Sequence, residues 1–257
     1  MTTTPLHYQT ITELAALIRK GEITCVELAR HFIARINRFE DTLNAYRLLC
    51  MESAIDRAQA ADRALMEGSD HGPLQGIPYA VKDLIDVKGL ATTAGARIFE
   101  QHIAAEDAAV IRRLEQAGMI LLGKTNTVQF AFSGVGINHD HGTPHNPWSE
   151  THHLPGGSSS GSGVAVAAGL VPMALGTDTG GSVRVPAALC GTTGLKTTVG
   201  RVSRAGVYPL SWSLDSVGVL ARSAEDAALV YQRMQGADIN DDSTLGRGPQ
   251  DVLKNLR

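Results

Sequence analysis

Three short segments carry residue types that could do nucleophilic chemistry. The first is Pro155-Gly156-Gly157-Ser158-Ser159-Ser160-Gly161-Ser162-Gly163. A Gly/Ser tract of this kind can be a flexible linker, because it has little to pack. Here an apolar, helix-like run begins at once at Val164. The serines are therefore placed at a helix N-terminus, where free N–H groups and hydroxyls gather around a polar centre. The second segment is GTDTGGSVRVP, Gly176 to Pro186. Its glycines permit a tight turn and close backbone approach just before Ser182. Successive N–H groups in such a turn can form an oxyanion hole, with the Ser182 hydroxyl as nucleophile. The plain alternative is a strand-to-helix turn with Ser182 as its N-cap. The third segment is GIPYAVKD, Gly76 to Asp83. Lys82 ends an apolar run, and a lysine kept neutral by burial can act as the base for a serine. Its alternatives are a side chain reaching out to water from a strand end, or an ion pair with Asp83.

The elements that must hold these residues are legible in the pattern of the chain. Thr10 to Glu13 and Thr24 to Glu27 are capping boxes, and Ser223 to Asp226 has the same form. The first opens a helix with Leu14, Leu17 and Ile18 on one face and Gly21 as its stop. The second opens a longer helix with Leu28, Phe32, Ile33 and Ile36 on its apolar side. The third starts a helix reaching Met234. The pattern predicts a strand over Ala45 to Cys50, a helix from Ser53 to Met66 and a strand from Ile77 to Val81. It then predicts a helix from Glu106 to Ala117, a strand from Met119 to Leu122, a helix from Val164 to Leu170 and a strand from Pro172 to Leu175. Alternating strands and helices of this kind form a layered α/β domain.

Two other chemistries are suggested by sequence and fit poorly. Gly118 to Thr125, GMILLGKT, matches the P-loop expression for nucleotide phosphates. A P-loop needs an open turn with N–H groups facing phosphate, whereas this segment has four large apolar residues at its centre and a helix before it. His139, His141, His145, His152 and His153 crowd one loop, but no spacing sets them on one helix face and no cysteine joins them; a polar surface loop is the expectation, with no metal.

Composition narrows the classes further. With 43% hydrophobic and 19% charged residues in 257, the chain can bury a sizeable core. A net charge of −3 with no basic run excludes a phosphate-binding nucleic-acid surface. The start, MTTTPLHYQT, lacks a basic region followed by an apolar stretch, and the run from Gly163 to Gly176 is too short to span a bilayer. Cys25, Cys50 and Cys190 lie far apart, which fits a reducing, cytoplasmic setting.

Taken together and in order, GIPYAVKD, PGGSSSGSG and GTDTGGSVRVPA resemble the amidase signature family, whose two serines share the spacing of Ser158 and Ser182. GKTNT (123–127), HNPW (145–148) and CGTTGLK (190–196) agree in character, and the likeness runs from about Ile11 to Gly236. The resemblance implies an amidase signature fold, α/β/α in layers around a mixed sheet. Residues 1–257 would be one domain, with a helical region at about 10–68 and a catalytic core at about 74–236. It further implies amide hydrolysis to acid and ammonia or amine through an acyl-enzyme on Ser182. Ser158, preceded by a cis Gly157–Ser158 bond, would relay the Ser182 proton to Lys82. The N–H groups of Thr179, Gly180, Gly181 and Ser182 would hold the oxyanion, with Ser159, Asp178 and Arg184 in support. No cofactor is implied, and the partner is a small-molecule amide. A second copy of the chain is a further possible partner. An alternative member of the family is the A subunit of a tRNA-dependent amidotransferase, which releases ammonia from glutamine for partner subunits. The segment Val128 to Asn138, VQFAFSGVGIN, looks more like free-standing amidases. Ser160 stands where the family more often has glycine, and Thr197 where proline is common. Family members exceed this length, so the C-terminal part of the fold is expected to be missing.

Overall fold

The computed structural model describes residues 4–256; Met1 to Thr3, part of the segment read for a leader, and Arg257 lie outside them. Both N-terminal capping boxes form. Thr10 Oγ1 accepts from the Glu13 N–H at 3.2 Å while Glu13 Oε2 accepts from the Thr10 N–H at 2.7 Å, opening α1 (Ile11–Arg19). Thr24 and Glu27 do the same at 3.0 and 2.8 Å and open α2 (Cys25–Leu43). The chain continues through β1 (Tyr46–Leu49), α3 (Met51–Met66), β2 (Pro78–Lys82), α4 (Ala109–Gln116) and β3 (Ile120–Thr125). It then forms α5 (Ser160–Ala167), β4 (Met173–Asp178), α6 (Arg184–Cys190), β5 (Thr193–Leu195), β6 (Ser216–Ala221) and α7 (Ala224–Met234).

The six strands form one mixed sheet in the order β1-β3-β2-β4-β6-β5, with helices packed against it in layers. β2 runs parallel to β3 and to β4, whereas β1, β6 and β5 pair antiparallel with their neighbours. Every residue of β2, β4 and β6 is buried, so these strands read as continuous runs rather than alternating ones. Because β2, β3 and β4 are parallel, their C-terminal residues Lys82, Thr125 and Asp178 emerge on one side of the sheet. Ligands of open α/β sheets bind at such ends.

Two expectations change. Ser223 caps α7 through the Asp226 N–H at 3.0 Å, but the box is not closed. Asp226 Oδ1 instead accepts the Ile11 N–H at 2.8 Å, tying the start of α7 to the start of α1. The helix expected from Val164 starts earlier, at Ser160. Poor helix formers enter it because the whole turn is buried and tertiary contacts outweigh propensity. Gly161 is required there: a Cβ would lie 2.2 Å from the Ala45 carbonyl oxygen. The strand expected over Met119 to Leu122 forms as β3, residues 120–125, so the GMILLGKT segment is extended and Gly123 lies inside the strand. No helix among the described residues is long and apolar enough to cross a membrane.

Candidate active site

Lys82 is fully buried at the end of β2, and its Nζ donates to Ser158 Oγ at 2.6 Å and to Thr177 Oγ1 at 2.8 Å. It pairs with no carboxylate among the described residues. Asp83, its chain neighbour, pairs instead with Lys124 Nζ at 2.8 Å. Burial lowers the Lys82 pKa to about 7 against the pull of Asp178 and Asp215, which favour the ammonium. Both alternatives for Lys82, a solvated strand end and an Asp83 pair, are thus replaced by a buried amine facing two hydroxyls.

Ser158 is equally buried and follows a cis Gly157–Ser158 bond. Its carbonyl accepts from Thr127 Oγ1 at 2.9 Å and from the Val128 N–H at 3.2 Å, so the loop after β3 seats the serine segment. The linker reading therefore fails. Ser159 turns its Oγ to the β4 backbone, donating to the Thr177 carbonyl and accepting the Thr177 N–H, both at 3.3 Å. Ser160 Oγ is buried without a hydrogen-bond partner, and Thr197 Oγ1 donates to the Val217 carbonyl at 2.8 Å.

Ser182 lies in the turn between β4 and α6. It is not the N-cap of α6, a position held by Val183 with no side-chain cap. The turn is organised by Asp178, whose carboxylate accepts from the N–H groups of Gly181 (2.8 Å), Val183 (3.0 Å) and Arg184 (3.3 Å) and from the Arg184 guanidinium at 2.9 Å. Burial works against ionisation of Asp178, but these hydrogen bonds outweigh it and hold the carboxyl below its usual range. Gly181 sits at φ +135°, a conformation that side chains rarely adopt. Its N–H donates to Asp178 Oδ1. The N–H groups of Thr179, Gly180 and Ser182 make no hydrogen bond among the described residues. Ser182 Oγ likewise makes none, and the link from the Ser182 residue to the Ser158 segment is the Ser159 N–H donating to the Ser182 carbonyl at 3.1 Å.

Ser182, Gly180 and Gly181 line a cleft of about 280 Å3 whose other walls include Phe132, Ser133 and Leu210. A larger hollow of about 480 Å3 lies between α2 and α3, but no serine or lysine lines it. Asn146 and Trp148 of HNPW brace the end of α6 by donating to the Leu189 and Cys190 carbonyls at 3.0 and 2.7 Å. Among the described residues no three His, Cys, Asp or Glu side chains converge as a metal site. Two residues at the centre escaped the sequence reading. Thr177 lay inside a quoted motif, but its contact with Lys82 follows only from strand pairing. Asp215, a lone acid before β6, accepts from Thr179 Oγ1 and from the Leu210 and Ser211 N–H groups, the latter two at 2.8 and 2.9 Å.

Lys82 ends β2, Ser182 follows β4 and Ser158 precedes α5, so a buried lysine and two serines gather near the C-terminal ends of the parallel strands. The family model described as Amidase matches residues 27–255, and the chain belongs to this family, the amidase signature enzymes. Among curated proteins it is 45% identical to the A subunit of the glutamyl-tRNA(Gln) amidotransferase of Thioalkalivibrio sulfidiphilus, over 98% of this chain and 51% of that protein. Among solved structures it is similar to the peptide amidase of Stenotrophomonas maltophilia, with TM-score 0.88 and 36% identity, over 96% of this chain and 52% of that one. It is also similar to 6-aminohexanoate cyclic dimer hydrolase, with TM-score 0.83 and 34% identity, over 92% of this chain and 48% of that one. The chain spans about half the length of the curated relatives it matches.

Proposed function

We propose that this chain cleaves a carboxylic amide by acyl transfer to Ser182. The observation that carries the reading is a fully buried Lys82 amine 2.6 Å from Ser158 Oγ, with no carboxylate pairing it among the described residues. Neutral Lys82 takes the Ser158 proton as Ser158 takes the proton of Ser182. The Ser182 Oγ–carbonyl bond forms, and negative charge moves to the substrate oxygen. The N–H groups of Thr179, Gly180 and Ser182 are the donors available for that oxygen. Collapse breaks the C–N bond, and the proton returns from Lys82 through Ser158 to the leaving nitrogen. Water then releases the acid. The Ser158–Ser182 hydrogen bond that this transfer needs would form in the substrate complex, where reactive hydrogen bonds often tighten. A fluorophosphonate tests the reading: it should phosphonylate Ser182, and Ser182→Ala should abolish labelling. Labelling that persists at another serine overturns the assignment.

The names of the curated relatives at 45% identity support the setting of an amidotransferase component, with glutamine as ammonia donor, more than the free-standing amidase suggested by VQFAFSGVGIN. The solved amidases, at 34–37% identity, support the bond-breaking chemistry common to both. Glutamine hydrolysis that appears only with partner subunits supports the first setting. Partner-independent turnover of simple amides supports the second.

A further inference from the structure

We infer that a small-molecule site apart from the Ser182 cleft lies between α3, the start of β3 and α4, and that it takes a small zwitterion with an apolar body, an α-amino acid with an aliphatic side chain. The hollow has a volume of about 350 Å3 and shares no lining residue with the Ser182 cleft. The inference therefore does not rest on the acyl-transfer reading. A concavity of this size, apolar at its base with a few polar groups at its edge, is the usual form of a small-molecule site.

Leu90, Met119 and Leu121 line the base together with the Cys50 thiol. Burial raises the Cys50 pKa against the pull of Lys124, so the thiol stays neutral and the base carries no charge. The edge carries two cations and two carboxylates, which are not equally available. On one side Arg57 Nη2 meets Glu115 Oε1 at 2.8 Å, and these charges match each other. On the other side Asp107 Oδ1 accepts the backbone N–H of Lys88 at 2.7 Å, which sets these two residues side by side. The Lys88 ammonium has no ion pair or hydrogen bond among the described residues, and Asp107 Oδ2 accepts none. An ammonium and a carboxylate held next to each other match, with opposite sign, the carboxylate and ammonium of one α-amino acid. A plain acid would leave Asp107 unmatched, and a plain amine would leave Lys88 unmatched. An aliphatic side chain gains by covering Leu90 and Leu121, whereas a charged one would lose its water over that base.

The test titrates the chain with L-leucine and follows binding by saturation-transfer NMR. 4-Methylpentanoate, which lacks the ammonium, and 3-methylbutylamine, which lacks the carboxylate, serve as comparisons. Leucine should bind saturably and about tenfold more tightly than either, the worth of one charge-assisted hydrogen bond. Lys88→Gln and Asp107→Asn should each weaken leucine by about the same factor. Lys88 is exposed, so its variant reads the site even if Asp107→Asn loosens the loop. Location is read from alkylation by iodoacetamide, mapped by mass spectrometry: leucine should slow modification of Cys50, with the buried Cys25 and Cys190 as references. Ser182→Ala should bind leucine as the parent does. No saturable binding up to the solubility limit of leucine, equal binding of 4-methylpentanoate, an unchanged affinity in Lys88→Gln, or no protection of Cys50 overturns the inference. Loss of leucine binding in Ser182→Ala would put the ligand in the cleft and overturn it as well.

Discussion

Two buried lysines stand on adjacent parallel strands, and the sheet treats them oppositely. Lys82 and Lys124 are both fully buried, at the ends of β2 and β3. Lys124 meets a carboxylate, Asp83, at 2.8 Å and donates to the Ala91 carbonyl and Thr92 Oγ1, both at 2.7 Å. Lys82 meets only the hydroxyls of Ser158 and Thr177. A buried ammonium is tolerated where a paired charge and further acceptors replace its water; without a paired charge, the neutral amine is favoured. The same side chain is thus a structural cation in one strand and a candidate base in the next, and the partner decides which.

The comparison is broken most directly by removing each amine. Lys82→Met should cut the rate of Ser182 labelling by about 10²–10⁴-fold, the usual worth of general base catalysis, while the chain still folds. Lys82→Arg should not rescue it, since a guanidinium stays protonated. Near-parental labelling by the Arg variant would sink the lysine-base assignment. Lys124→Met should do the reverse at the level of folding, costing about 3–5 kcal/mol in denaturant unfolding because Asp83 is left charged and unpaired. Adding Asp83→Asn to Lys124→Met should recover part of that loss; a double variant no more stable than the single would show that the pair is not the source.

The pH dependences sharpen the same contrast. With the Lys82 pKa lowered to about 7, the unfolded chain binds more protons than the folded one between about 7 and the ordinary lysine value of 10.5. Stability should therefore rise with pH across that window, and the rise should be smaller in Lys82→Met than in the parent. Melting curves of equal slope in the two proteins would contradict a neutral, buried Lys82. The smallest effect is on activity itself. Labelling of Ser182 should climb from acid pH and reach about half its plateau near pH 7, where half of the amine is free. A profile already flat below pH 6 would require a different base.

Much of this was readable before any coordinates. The reciprocal boxes at Thr10 and Thr24 are local, so their residues alone specify α1 and α2. The third box was misread because Asp226 is claimed by a distant N–H, that of Ile11. The start of α5 at Ser160 and the strand Ser216–Ala221 were not read, because full burial erases the periodicity on which such readings rely.

By itself, the sequence determined the three segments that bear Lys82, Ser158 and Ser182, the absence of a basic surface run, and the alternation that makes a layered α/β fold. Those properties reside in residue type and short-range spacing. Tertiary structure alone decided that Lys82 faces Thr177 and not Asp83, and that Asp83 pairs instead with Lys124. Each of these depends on which strand lies beside which, and strand pairing brings together residues far apart in the chain. A lysine's charge state follows from those neighbours and not from the residues that precede it.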